Sequence, residues 1–168
     1  MKKIKWLSLL VCVVLTVGMF TSCSLLLSGN SSKEKIFSKA GASITLNESF
    51  VEKEYASMTA YYESRLTIVS LLKEEFSSLG IADEAQQISL KEYAELLISG
   101  NKLEAEIHEG DLTSFEYSKS VNGKDFSYFA TVFKASDAYW FIQFGCESKN
   151  FEAEKPTFEK YAKSVSFE

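Results

Sequence analysis

One proline stands among 168 residues, and low-complexity tracts are few, which argues against a chain that stays disordered for want of a core. Cysteine is scarce: Cys12, Cys23 and Cys146 are the three present. Histidine occurs once, as His108, so a serine–histidine–acid triad could only be built around it, and nothing marks the serine. The chain has no Gly-x-Ser-x-Gly elbow, no phosphate-binding loop and no Cys-x-x-Cys pair. It also lacks a basic stripe, which argues against nucleic acid as a partner. Internal repeats and a second domain are absent as well.

The N-terminus carries a strong pattern. Lys2, Lys3 and Lys5 precede an apolar run from Trp6 to Phe20, and Thr21, Ser22 and Cys23 follow. A basic start, a short apolar run and small residues before a cut describe a secretory signal. The run is too short and ends too abruptly for a membrane-spanning helix. A cysteine directly after the small residues resembles the bacterial lipoprotein signal. That resemblance implies acylation of the Cys23 sulfur after removal of residues 1–22, although Phe20 stands where an aliphatic residue is usual. The expected location is the extracytoplasmic face of a membrane, reached through lipid on Cys23 rather than through a spanning helix.

Two consequences follow from the cut. Cys12 leaves with the signal and Cys23 carries lipid, so Cys146 has no partner for a disulfide and stability must come from packing. Removing the first 22 residues, with their three lysines, turns 18 basic and 23 acidic residues into 15 and 23, a net of −8. Such a surface repels phosphate backbones and anionic headgroups.

Residues 23–37 read as a flexible tether, rich in serine with Gly29 and Asn30, and residues 38–168 as one domain. Its centre is Thr113 to Cys146. Asn122-Gly123 between two apolar runs signals a two-residue hairpin, which pairs Val121 with Lys124, Tyr117 with Tyr128 and Phe115 with Ala130. A second two-residue turn at Ser136-Asp137 would set Phe133 opposite Trp140 and Phe129 opposite Phe144. Alternation then gives two apolar faces. One collects Phe115, Tyr117, Val121, Phe126, Tyr128, Ala130, Val132 and Phe141, the other Phe129, Phe133, Trp140, Ile142, Phe144 and Cys146. A sheet apolar on both sides needs two covering layers.

Ala42 to Leu46 reads as the first strand, broken at Asn47-Glu48-Ser49, with Phe50 as a core anchor in the following loop. Met58 to Tyr62 and Leu66 to Lys73 read as two more strands, since the second is rich in β-branched residues; a helix over Val51 to Phe76 is the competing reading. Ile81 to Ile88 is a polar connector. Ser89-Leu90-Lys91-Glu92 is a capping box, Leu90, Tyr93, Ala94, Leu97 and Ile98 keep helical spacing, and Gly100-Asn101 supplies the stop. Pro156 near its start, then Phe158, Tyr161, Ala162 and Val165, mark a second amphipathic helix.

Taken in order, S-I-T-L with Phe50, S-L-K-E-Y-A-E-L, Y-F-A-T-V-F before A-Y-W-F-I-Q-F, and the closing F-E-K-Y-A-K-S-V-S-F resemble the small secreted or lipid-anchored α/β/α sandwich proteins grouped with PsbP and DcrB. The resemblance covers roughly Ala42 to Phe167. It implies an α/β (α+β) domain, a single twisted antiparallel sheet sandwiched between helices. It also implies an accessory or binding role, with no shared catalytic residues; no cofactor is expected. The photosynthetic role of PsbP does not transfer with the fold.

Three groups could carry chemistry. Glu104, Glu106 and His108 alternate, and in a strand they would share one face, where two carboxylates and an imidazole can bind a divalent metal. The same alternation describes a solvated face with Leu103, Ala105 and Ile107 packed inward, which is the preferred reading. Cys146 with His108 is the single cysteine–imidazole combination, and an inert, partly buried thiol is expected at Cys146. Tyr61, Tyr62, Tyr117, Tyr128 and Tyr139 could place hydroxyls at a sheet rim around a pocket, though such rings more often belong to the core. The combined expectation is a non-enzymatic, lipid-anchored accessory module that binds an envelope protein, with a solute-binding lipoprotein using an aromatic-lined pocket as the alternative.

Overall fold

The computed structural model describes residues 33–83 and 87–168. Cys23, the signal and most of the tether lie outside the described residues. In chain order the elements are β1 (Glu34–Lys39), β2 (Ala42–Asn47), β3 (Val51–Lys53), β4 (Ala60–Glu63), β5 (Thr67–Glu75), α1 (Phe76–Leu79), α2 (Leu90–Gly100), β6 (Ile107–Glu109), β7 (Thr113–Val121), β8 (Lys124–Lys134), β9 (Ala138–Glu147), α3 (Phe151–Lys163) and β10 (Ser166–Phe167).

The large sheet has seven strands in the order β3-β4-β5-β9-β8-β7-β6, each pair antiparallel. Asn122 and Gly123 both take positive φ, 52° and 76°, as a type I′ turn requires. Tyr117 lies opposite Tyr128, Phe115 opposite Ala130, Phe133 opposite Trp140 and Phe129 opposite Phe144, the register expected from the two turns. Because the side-chain period is two, that register sorts the two apolar faces as expected. Phe115, Tyr117, Phe126, Tyr128 and Phe141 join one core, and Phe129, Trp140, Ile142, Phe144 and Cys146 join the other.

α2 covers the first face over β6, β7 and β8. Its capping box forms as expected: Ser89 Oγ accepts from Glu92 N at 3.2 Å and Glu92 Oε2 accepts from Ser89 N at 2.9 Å. The helix runs through Gly100, and the left-handed residue after it is Lys102, at φ 53°. α1 is a single turn that the sequence reading did not find. Gly80 at φ 71° lets Ile81 N return to Phe76 O at 2.9 Å, and both apolar ends of that bond are buried.

The other face is covered by α3 together with a second, three-stranded sheet of order β1-β2-β10, so the layer opposite α2 is part helix and part sheet. Two boundaries differ from expectation. β1 precedes the strand expected to be first, and it takes up residues assigned to the tether. Glu34–Lys39 buries Phe37 alone, and what pairs it is the turn at Ala40 and Gly41, with φ 52° and 89°. α3 begins at Phe151, ahead of Pro156, because Phe151 is buried against Phe158 with ring centroids 6.3 Å apart. Pro156 and Glu152 are both exposed, so the carbonyl that loses its amide partner faces water.

Candidate functional site

His108 sits in β6, the last strand of the large sheet, opposite Ser114. Cys146 sits in β9 opposite Ser127, so β7 and β8 separate the two residues. Three strand spacings alone put them roughly 14 Å apart, beyond any hydrogen bond. Cys146 is buried beside Phe144 on the face under α3, and burial, with Glu154 and Glu147 nearby, pushes its thiol up to about 11. A buried thiol held protonated in this way packs as a small apolar side chain.

β6 begins at Ile107, so Glu104 and Glu106 precede the strand instead of lying within it. They and His108 are exposed, while Leu103, Ala105 and Ile107 pack on the core below α2. Among the described residues no group of three or more His, Cys, Asp or Glu side chains could hold a metal ion. The alternation is that of a solvated border.

The five tyrosines do not form a rim. Tyr62 belongs to the core under α3, packed 4.8 Å from the Phe37 ring, while Tyr117, Tyr128 and Tyr139 belong to the core under α2. All five, Tyr61 included, are buried. The cause is register: Tyr61 and Tyr62 are consecutive and must point to opposite faces. Tyr128 also lies flat along the sheet, since a Cβ on Gly145 would meet its Cε1 at 2.6 Å. Burial raises the hydroxyl pKa of Tyr62 and Tyr128 to about 12 each, and of Tyr61, Tyr93 and Tyr117 above the ordinary value of 10.0 as well, so these phenols stay neutral donors.

What the sequence reading missed is how the hydroxyls on the α2 face are spent. Tyr117 donates to Gln143 Oε1, and Gln143 Nε2 donates to Ser70 Oγ at 3.3 Å, a buried chain across β7, β9 and β5. Tyr139 donates to the Ile88 carbonyl at 2.6 Å and accepts from Ile88 N at 2.8 Å, which ties the connector to the sheet. Tyr93 stacks on Tyr139 at 4.5 Å and donates to Glu74, which ties α2 to β5. Burial holds the Glu74 carboxyl above its ordinary value of 4.5, with the Tyr93 bond pulling the other way. A glutamine inside A-Y-W-F-I-Q-F-G-C was the available signal, since a buried amide needs partners. Among these groups the hydrogen bonds are internal, donors and acceptors bonded to one another across the sheet and onto α2.

Among the described residues no helix is long and apolar enough to cross a membrane. Similar folds occur among solved structures. The solution structure of cyanobacterial PsbP (CyanoP) from Synechocystis sp. PCC 6803 is similar at TM-score 0.52 and 11% identity, over 90% of this chain and 100% of that one. A crystal structure from Bacteroides thetaiotaomicron VPI-5482 is similar at TM-score 0.50 and 11% identity; the match covers 82% of this chain and 49% of that one, so this chain spans about half of that protein. The chain therefore has a PsbP-like fold, as the sequence resemblance implied, and identity this low speaks for the fold alone. No protein-family model matches the chain, and no curated protein does.

Proposed function

We propose that this PsbP-like domain is a lipid-anchored accessory module on the extracytoplasmic side of a membrane, where it binds an envelope protein. The observation that carries the anchor is the N-terminal pattern: three lysines, an apolar run, then Thr21-Ser22-Cys23. Cys23 and the first residue of β1, Glu34, are eleven positions apart, enough for a reach of up to ~40 Å when extended. The mature net charge of −8 favours a domain held off anionic lipid and a partner with basic groups.

Binding of a macromolecule is supported by where apolar surface is exposed. Ile36 and Val51, at 67% and 52% exposure, lie on β1 and β3, which border their sheets. The competing solute-binding reading draws on tyrosine hydroxyls, and two of those expected to serve it, on Tyr117 and Tyr139, are committed to internal bonds.

The test has two arms. Cys23→Ala should release the protein from the membrane fraction, and intact mass should show an acylated Cys23 in the wild type. Crosslinking and capture from intact cells, with the tether preserved, should enrich an envelope protein. An unmodified Cys23 defeats the anchor. Reproducible thermal stabilisation by a metabolite, with no enriched protein, defeats the accessory role in favour of solute binding.

A further inference from the structure

We infer that the outer edge of β1 is a contact surface for a second copy of this chain, with β1 pairing antiparallel to its own equivalent about a two-fold axis at Ile36. The inference rests on the proposed anchoring only for the local concentration that makes the contact form.

The border strands are not equivalent. β3 and β6 each span three residues, too short to template a stable pair. On its outer side β7 leaves residues 116–121 without a neighbouring strand among the described residues, because β6 lies opposite Thr113, Ser114 and Phe115 only. Pairing of β7 with itself is obstructed, though. A two-fold at Ser118 drives Val121 of the second copy into the place Ile107 already holds beside Phe115, and the next register sets Lys119 against Lys119. β1 spans six residues and, among the described residues, has β2 on one side only.

The turn at Ala40-Gly41 closes with Lys39 opposite Ala42. Hydrogen-bonded positions alternate from that closing pair, so Lys39, Phe37 and Lys35 exchange backbone bonds with β2, and Glu34, Ile36 and Ser38 aim their N–H and C=O groups outward. An antiparallel copy can engage two or more of them in three registers. Two of these oppose lysines: Lys35 to Lys35, or Lys35 to Lys39. The third centres on Ile36, matches Glu34 with Ser38 and Lys35 with Phe37, and uses all three outward residues of both strands.

The side chains suit that third register. Ile36, at 67% exposure the most exposed large apolar residue described, meets its own copy and loses its solvated surface. Lys35 already rests over its own Phe37 ring at 4.7 Å, so an ammonium beside a phenyl ring is the local chemistry on that face. Lys39 is bonded to Glu52 at 2.7 Å and Glu34 is paired with Lys160, so the charges at the strand ends are already answered within each copy. One strand pair is a small interface, and two lipid tethers on one membrane raise the effective concentration at which it forms.

The test uses the full chain in its own membranes with Ile36→Cys. Opposed residues of a hydrogen-bonded antiparallel pair stand about 5.5 Å apart, within disulfide reach, and native Cys146 is buried. Mild oxidation should link Ile36→Cys into dimers at least about tenfold more than Ser38→Cys, whose equivalent lies four strand positions away, roughly 13 Å. Chemical crosslinking of the chain without an added cysteine should yield a dimer that Ile36→Lys, a change at an exposed side chain, removes while the melting temperature stays unchanged. Linkage through Ser38→Cys equal to that through Ile36→Cys, or a dimer that survives Ile36→Lys, overturns the inference. With Cys23→Ala, dimer at high protein concentration but not at low keeps the surface and assigns the tether its concentrating role. If the wild type proves unanchored, the anchoring reading falls, and the same Ile36-dependent dimer measured in solution decides the surface on its own.

Discussion

Under α3 and the small sheet, the large sheet presents Val69, Leu71, Trp140, Ile142 and Phe144, which meet Ile44, Leu46, Phe50 and Phe158. Thr131, on that face, donates to the Thr113 carbonyl at 3.1 Å. On the opposite face, under α2, aromatic rings are as deeply buried, but Tyr93, Tyr117 and Tyr139 each carry a hydroxyl with one specific acceptor. Packing on the first face rewards volume and shape, and many apolar side chains can fill it. On the second face it also rewards direction, because each donor left unmet in the interior costs its full desolvation. One sheet thus carries an adaptable core and a specified one, back to back.

The comparison can be broken most directly where volume decides. Phe158→Ala empties a fully buried site between α3 and β9 and should cost about 3–5 kcal/mol in denaturant unfolding. A loss below about 1 kcal/mol would mean that α3 does not hold that face. Gly145→Ala comes next. Its Cβ meets the Tyr128 ring at 2.6 and 2.7 Å and Ile68 Cγ1 at 3.2 Å, so the ring must lift, at about 1–3 kcal/mol.

The contrast between the faces is sharpened by two mild changes compared side by side. Tyr117→Phe keeps the ring but leaves Gln143 Oε1 unmet, and should cost about 1–3 kcal/mol. Ile142→Leu conserves volume on the adaptable face and should cost less than about 1.5 kcal/mol. Equal losses from the pair would erase the distinction drawn here.

The smallest effect is one of pH. Glu74 is held above its ordinary value of 4.5 chiefly by burial, so the folded state binds its proton more tightly than the unfolded chain does. Its contribution to stability is fully present below pH 4.5 and is lost as pH rises through the raised folded value, then stays flat. Glu74→Gln keeps a group for Tyr93 to donate to and removes the titration. Melting temperature of the variant relative to wild type should therefore rise from acid toward neutral pH. A difference independent of pH would show that Glu74 ionises as an exposed carboxylate does.

Much of the fold was legible because its signals are local. Asn122-Gly123 could adopt few turns, and from that turn the register of β7 and β8 and the parity of every ring on them follow. Ser89 with Glu92 announced the start of α2 for the same reason. β1 was missed because it buries Phe37 alone and is otherwise polar, so it has the composition of a tether. The start of α3 was misplaced because Pro156 reads as a first-turn residue, whereas Phe151 extends the helix only once Phe158 is there to bury it. The candidate site groups were legible as types but not as places. Glu104, Glu106 and His108 alternate in the chain whether or not a metal joins them.

By itself the sequence determined the strand parity, the two apolar faces, the helix cap and the N-terminal lipoprotein-type pattern, because each depends on residues within one or two turns or one hairpin. Tertiary structure alone decided that Tyr117 reaches Gln143 and Gln143 reaches Ser70, positions 26 and 73 residues apart in the chain. It alone set two strands between His108 and Cys146, and alone left one side of β1 without a neighbouring strand among the described residues. The physical reason is common to all three. Which strands become neighbours is chosen by how the whole set of apolar faces is buried together, and no local window contains that choice.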